Sequence, residues 1–562
     1  MDSTARQFSW ILLLALAGLC LLLGPPLRAQ GTYAYSTFLG GTNWEWGGAI
    51  TTTPSGNVYI AVITYSEDFL QLREPPAEPP WYNPTPSHWL TVVGLDPSGR
   101  LLYSTRTIGT YFGRFIRIGD IAATADGTVT VVATHYADDL SFAVFVQLTP
   151  AGDVYNASSL GIGRSLRSEA RGVAMDSAGG TYITGNSYDD DGFRVFVAKL
   201  GGYFTRLDTG GDYDKIVVDS TGHAVVAGSI GGGGSSTDVL LTWLDGSGSV
   251  VRSFRFGGRG EDVPVAMTLA ADGGVVVTGT TTSPDFPVLN PVQPALNGGA
   301  DLFLTRVSPS GETLASTYLG GGSPGDLPRD LATGPDGSLY LLSALETYYP
   351  PDPAWRSDSP LLSDDLDCRS ALIARLDPED FTLLDTACLA NAIGLSLAVD
   401  PAGWISVTGE AWEGFKLVNP LQGFTIGGDA FATRMQLNRP PDCSGATIRP
   451  ATVWPPNDKP VPLSILGVTD TDGNPITLTV TAIRQDEPRT GQSFDASGIG
   501  TAQPSVRAQR SGGGDGRVYR ISFEARDDQG AVCTGEVRAC VPHDASGRTC
   551  GDGGALVDST GR

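Results

Sequence analysis

Seven times along the chain, a run of β-branched and apolar residues follows a tight turn that contains Asp or Pro and closes on Gly. Pro54-Ser55-Gly56 leads into Asn57-Val58-Tyr59-Ile60-Ala61, and Ala271-Asp272-Gly273 into Val275-Val276-Val277-Thr278-Gly279. The turn glycines stand at 56, 127, 179, 222, 273, 337 and 403, separated by 71, 52, 43, 51, 64 and 66 residues, around or above the period of a four-stranded propeller blade. A second turn of the same chemistry falls within the repeat, as in Leu95-Asp96-Pro97-Ser98-Gly99 and Val307-Ser308-Pro309-Ser310-Gly311. Each turn joins two strand-like runs, so a repeat predicts four antiparallel strands. Seven such sheets hide both faces when set radially. The pattern therefore predicts an all-β chain, a seven-bladed β-propeller followed by a small β-sandwich.

A ring of blades keeps two open edges unless a strand closes it. The phrase that ends the fifth repeat, Ala315-Ser316-Thr317-Tyr318-Leu319-Gly320-Gly321, returns near the start of the chain as Tyr35-Ser36-Thr37-Phe38-Leu39-Gly40-Gly41. The seventh repeat stops at Met435-Gln436-Leu437 without it. The N-terminal strand is therefore expected to complete the last blade, with Phe38 beside the 434–437 strand. These phrases, together with Thr278-Gly279-Thr280-Thr281-Thr282-Ser283-Pro284-Asp285-Phe286-Pro287, resemble the bacterial SBBP repeat of seven-bladed β-propellers over about 33–439. The resemblance implies a secreted or surface protein with no common enzymatic activity, an architecture more than a function.

Residues 1–29 read as an export signal: Arg6, an apolar run from Trp10 to Leu23, and Ala29 before a cleavage point. Cys20 lies deep in that run behind Leu19, which disfavours lipid attachment. The propeller is expected over 30–439. Past Pro440-Pro441, alternating runs such as Ile476-Thr477-Leu478-Thr479-Val480 predict a β-sandwich over 440–545, which resembles Ig-like or cadherin-like modules, and 546–562 reads as a flexible tail. The formal charge of −24, with only four lysines, excludes a nucleic-acid partner and fits a solvated surface. No second apolar run is long enough to serve as a transmembrane anchor, so a secreted protein, extracellular, periplasmic or on the cell surface, is expected, and it is read as a monomer. Of seven cysteines, Cys20 falls in the signal. Cys368 and Cys388 are expected to pair, and Cys443, Cys533, Cys540 and Cys550 admit three connectivities.

Strand alternation puts both kinds of tight turn on one face of the ring and the long insertions on the other. Those insertions span 65–88, 280–300 and 345–369. That second face carries Trp44 and Trp46 on the first interblade connection, Trp81 and Tyr82 in the first insertion with Trp89 at its exit, and Tyr348, Tyr349 and Trp355 in the third. Aromatic rings on rigid loops stack on sugar rings or enter a protein partner, unless they merely pack over the channel mouth. Enzymatic signals are thin. His88, His135, His223 and His543 show no zinc spacing, and Gly231-Gly232-Gly233-Gly234-Ser235 lacks the Lys of a phosphate loop. Calcium is the one metal the sequence suggests, through Asp470, Asp472 and Asn474 around Gly473 with Asp527 or Asp528 added, although the same spacing suits a hairpin turn. Asp189-Asp190-Asp191-Gly192 and Asp364-Asp365-Leu366-Asp367 are weaker acidic clusters. The expected function is a binding or adhesion scaffold for extracellular carbohydrate or protein. The alternatives are a propeller lyase or hydrolase using carboxylates or His88, and a structural envelope component.

Overall fold

The computed structural model describes residues 31–560 apart from 71–87, 111–114, 138–139, 161–166, 190–191, 208–210, 232–235, 322–325, 346–369, 424–427, 471, 489–493, 529, 545–549 and 555–556. The signal segment, Trp81, Tyr82, Tyr348, Tyr349, Trp355, Cys368 and the Asp364 to Asp367 cluster lie outside the described residues. Two compact units result, one of Thr32–Leu437 and one carrying the chain from Asn438 onward. Both are all-β among the described residues, and no helix is long and apolar enough to cross a membrane.

The first unit is propeller-like. Its strands pair antiparallel in runs of four that span 45–110, 115–159, 167–207, 211–256, 262–319 and 326–389. The second and third runs meet at a single parallel pair, Arg167 with Ser141. A last run joins Ala392–Val399, Ile405–Ala411 and Asp429–Gln436 to the N-terminal strand Thr32–Leu39. That strand pairs where the repeated phrase predicts, with Phe38 opposite Phe431 and Tyr35 opposite Arg434. The register differs by a few residues from the expected one, because it is Tyr35 and not Phe38 that meets the 434–437 end of the partner strand.

Why these sequences close on one another is visible in the first strand of each run. These strands lie against their neighbours in succession, and Glu45–Thr52 also lies against Ala392–Val399. Each carries a one-residue bulge, as between Ile118 and Asp120 or Pro328 and Asp330, which swings the next side chain toward the adjoining sheet. Asp120 Oδ2 there accepts the Val173 amide at 3.3 Å, and Asp330 Oδ2 accepts the Leu397 amide at 2.9 Å and the Ser396 hydroxyl at 2.7 Å. Ser396 Oγ in turn accepts the Ile50 amide at 3.3 Å, linking the last run to the first. All seven turn glycines adopt φ between 80° and 92°, the left-handed region that side chains resist, which is why Gly recurs there. Turn aspartates also anchor the third strand: Asp272 pairs with Arg306 at 2.8 Å, Asp336 with Arg375 at 2.6 Å, and buried Asp400 with buried Arg434.

In the second unit, Val532–Pro542, Gly516–Asp527, Ile476–Gln485 and Val557–Asp558 form one sheet, with small two- and three-stranded pieces beside it. Val453, Ile465, Val480, Val506, Tyr519, Phe523 and Val541 share its core. Of the three connectivities open from sequence, Cys443–Cys533 and Cys540–Cys550 occur. Cys388 is also disulfide-bonded, and its expected partner Cys368 lies outside the described residues. The tail expected to be flexible is in part docked. Ser559 is fully buried, its carbonyl accepts the Asp495 and Ala496 amides, and its own amide donates to Ile483. Composition makes these residues look free because their partners lie more than sixty positions upstream.

Candidate binding face

Alternation along the first strand of the first run separates two chemistries on three consecutive residues. Trp44 and Trp46 are 72% and 58% exposed, while Glu45 between them is 2% exposed. Glu45 Oε2 accepts the Gly41 amide at 3.0 Å and Oε1 accepts the Thr64 hydroxyl at 2.8 Å. The Tyr65 amide donates to the Trp44 carbonyl, so the second strand holds the first Trp in register. Tyr65 is itself exposed and stacks on the His88 ring at 4.8 Å.

The neighbouring runs continue the face. Phe115, at the position that Trp44 holds in the first run, is 53% exposed and stacks on Tyr136 at 4.3 Å. Phe142, opposite His135, and Tyr188, opposite Arg167, are exposed at the corresponding strand ends of the second and third runs. Between these rings lies a polar cluster. The Tyr136 hydroxyl donates to Glu169 Oε1 at 3.0 Å, and Arg171 Nε donates to Glu169 Oε2 at 2.9 Å. Burial, then the Glu169 charge, raises the Tyr136 pKa. Burial, then His135, holds the His88 pKa low, so neutral imidazole is favoured there. At the corresponding described positions the fifth and seventh runs carry Glu261, Val263 and Ile393 instead.

Several expected residues are placed otherwise. Trp89 is only 8% exposed, because the Arg106 guanidinium lies 3.9 Å over its ring while donating to the Ser66 and Glu67 carbonyls. It is a packing residue, not a platform. The insertion at 280–300 does not project as a binding loop. It folds back on its own outer strand, with Leu289 bridged to Ser316, Gln293 to Tyr318, and Phe286 buried against Phe303 at 4.8 Å. His223 belongs to a turn, its Nδ1 3.3 Å from Asp219 Oδ2.

The five calcium candidates divide. Asp472 Oδ2 accepts the Arg439 amide at 2.6 Å, Asp470 Oδ1 accepts the Asp472 and Asn474 amides at 2.9 and 3.0 Å, and Asp527 accepts Ala531 N and Asn438 Nδ2. Asn474 Nδ2 donates to Asn438 Oδ1 at 2.7 Å, whereas Asp528 is exposed. Among the described residues no three acidic, His or Cys side chains stand so as to hold a metal ion.

Sequence reasoning places the aromatics in loops and so misses Phe115, Phe142 and Tyr188, which lie on strand ends.

No family model matches the chain, and no curated protein matches it. Among solved structures, U3-55K is similar at 12% identity and a TM-score of 0.42, over 72% of this chain and 100% of that one. The RRP9 WD40 repeats are similar at 13% identity and 0.41, over 73% and 99%, and a luciferin-regenerating enzyme at 11% and 0.32, over 73% and 94%. Likenesses of that degree assign no activity.

Proposed function

We propose that this protein is an exported binding scaffold: a closed seven-bladed propeller of SBBP-like repeats with an Ig-like C-terminal module, engaging extracellular carbohydrate or protein. One observation carries the reading. Trp44, Trp46, Tyr65, Phe115, Phe142 and Tyr188 stand exposed on strand ends of three adjoining sheets, where the backbone fixes the rings before any ligand arrives. Disulfides in the second unit fit an oxidising compartment outside the cell.

The enzymatic alternative finds less support. The half-buried Asp120 carboxylate is taken by the Ile121 and Val173 amides, and Glu169 by Tyr136 and Arg171, so both serve the architecture. A glycan and polysaccharide array, read for retention and for cleavage, is the test. Retention lost at least tenfold in the Trp44→Ala/Trp46→Ala double variant is expected. Cleavage would favour the enzyme, and no retention of any glycan or protein partner would leave the structural envelope role.

A further inference from the structure

The insertion at 280–300 is fastened to its own sheet through one acid. Asp301, the first residue of the strand Asp301–Val307, is buried, and its Oδ2 accepts the Gln293 side-chain amide at 2.7 Å and the Asn297 backbone amide at 2.8 Å. Gln293 Oε1 in turn accepts the Gly320 amide at 2.9 Å, and its backbone bonds to Thr317 and Tyr318 of the outer strand. A single oxygen of Asp301 therefore clasps both the pairing of the insertion and the path of the chain from 297 into the third strand. Asn297 is exposed, and it is the only asparagine of the chain that precedes glycine. Among the described residues, neither its side-chain amide nor the Gly298 N–H makes a hydrogen bond. Gly298 brings no Cβ to screen its nitrogen, and it takes φ 98°. Asn290 is the contrast within the same insertion: it is exposed too, but the nitrogen of Pro291 after it carries no hydrogen.

We propose that Asn297 is a self-modification site, where attack by the Gly298 nitrogen deamidates the side chain and turns the clasp at Asp301 into a repelling pair. The inference is independent of the binding reading. Water is the sole co-reactant. The Gly298 nitrogen bonds to Asn297 Cγ as the Cγ–Nδ2 bond breaks, and Nδ2 leaves as ammonia, carrying the proton that the attacking nitrogen gives up. Water then opens the cyclic imide at either carbonyl. One opening leaves aspartate, and the other leaves isoaspartate, in which the chain runs on through the former side-chain carbonyl. Both products place a new carboxylate on the residue whose N–H bonds Asp301, where the amide was neutral, and like charges at that separation repel. Isoaspartate also lengthens the main chain by one methylene between the Asn297 N–H and the strand that begins at Asp301. The seventh run has Thr425 four positions before its Asp429, as Asn297 stands before Asp301, so the reacting pair belongs to the fifth run alone.

The test needs no ligand. The whole protein is kept warm at pH 6 and at pH 8, sampled over days, and digested for peptide mass analysis with fragmentation. Asn297 is expected to gain about 1 Da, nitrogen exchanged for oxygen, and to do so faster at pH 8 because the attacking nitrogen must lose its proton. Asn290, Asn43 and Asn156 are expected to lag at least tenfold. Methyl transfer from S-adenosylmethionine by an isoaspartyl methyltransferase identifies the isoaspartate. Hydrogen exchange reads the clasp: the Leu289, Ser316 and Tyr318 amides, which pair the insertion with the outer strand, should exchange faster in aged than in fresh protein, and at the fresh rate in aged Asn297→Gln. Fresh Asn297→Asp, which carries the charge without the methylene, should exchange faster there as well. An Asn297 that reacts no faster than Asn290, or only in urea, overturns the self-modification. Modification that leaves those three amides at the fresh rate, or an Asn297→Asp variant that exchanges like Asn297→Gln, overturns the repelling pair.

Discussion

At the scale of single residues, the chain spends its charged side chains on fixing turns. Arg434 and Asp400 are both buried and joined to each other, and Arg434 also donates to the Pro97 carbonyl of the first run at 3.1 Å. Removing one partner strands the other charge away from water. Asp400→Asn is therefore expected to cost about 3–5 kcal/mol, read as a lower urea midpoint at unchanged slope. Asp472 presents the opposite case. Burial raises its pKa, and Asp470 and Asp527 add to the rise against the Arg439 amide and charge. An acid whose folded pKa is raised gives most stability when protonated, and stability falls as pH climbs through the folded value. Asp472→Asn should then raise the melting temperature at pH 7 and leave it unchanged near pH 3. Repeating the measurement in millimolar Ca²⁺ separates a turn from an ion site in that loop, since a rise abolished by the same substitution would place an ion there.

At the scale of elements, two insertions show what is legible in the sequence and what stays hidden. The turns, the seven β runs and the closing strand follow from local chemistry: Gly where φ is positive, β-branched residues where both faces are covered, one displaced phrase at the start of the chain. The straps are harder to see, although they share a pattern. Phe286-Pro287-Val288-Leu289-Asn290-Pro291-Val292-Gln293 matches Phe415-Lys416-Leu417-Val418-Asn419-Pro420-Leu421-Gln422 at Phe, Asn, Pro and Gln. In both, Phe enters the core, Asn takes a positive φ of 50° or 45°, and the Gln side chain accepts a glycine amide, Gly320 at 2.9 Å or Gly40 at 2.8 Å. The signal is present but reads as loop, because its contacts lie with an outer strand distant in sequence. The second strap clasps the closing strand, with Val418 exchanging backbone bonds with Ser36 and Asn419 Nδ2 donating to Ala34 O at 3.0 Å. Asn419→Ala loses that bond and places alanine at a left-handed φ, so a loss of about 1–2 kcal/mol is expected, read as a lower urea midpoint. The exposed aromatic surface is hidden in the same way: Trp44 and Trp46 are legible as a pair, while Phe115 and Tyr188 look like core until register turns them outward.

At the scale of the whole molecule, each unit owns its core, yet they are secured by different means. Thr32–Leu437 joins its ends through a strand pairing that spans nearly its full length, whereas the unit from Asn438 onward uses Cys443–Cys533 across 90 residues. Closing a loop of that length removes about 4.5 kcal/mol of chain entropy from the unfolded state on the simple polymer account, a large share of the stability of a small domain. The Cys443→Ser/Cys533→Ser variant should therefore lose most of its margin in that unit. Hydrogen exchange followed by peptide mass analysis locates the loss. Faster exchange is expected in the Ile476–Gln485 and Gly516–Asp527 strands, with Val58–Thr64 and Asp429–Gln436 unchanged. Acceleration that spreads equally into those last two strands would mean that the two units unfold as one, and the separate cores would then not be separate cooperative bodies.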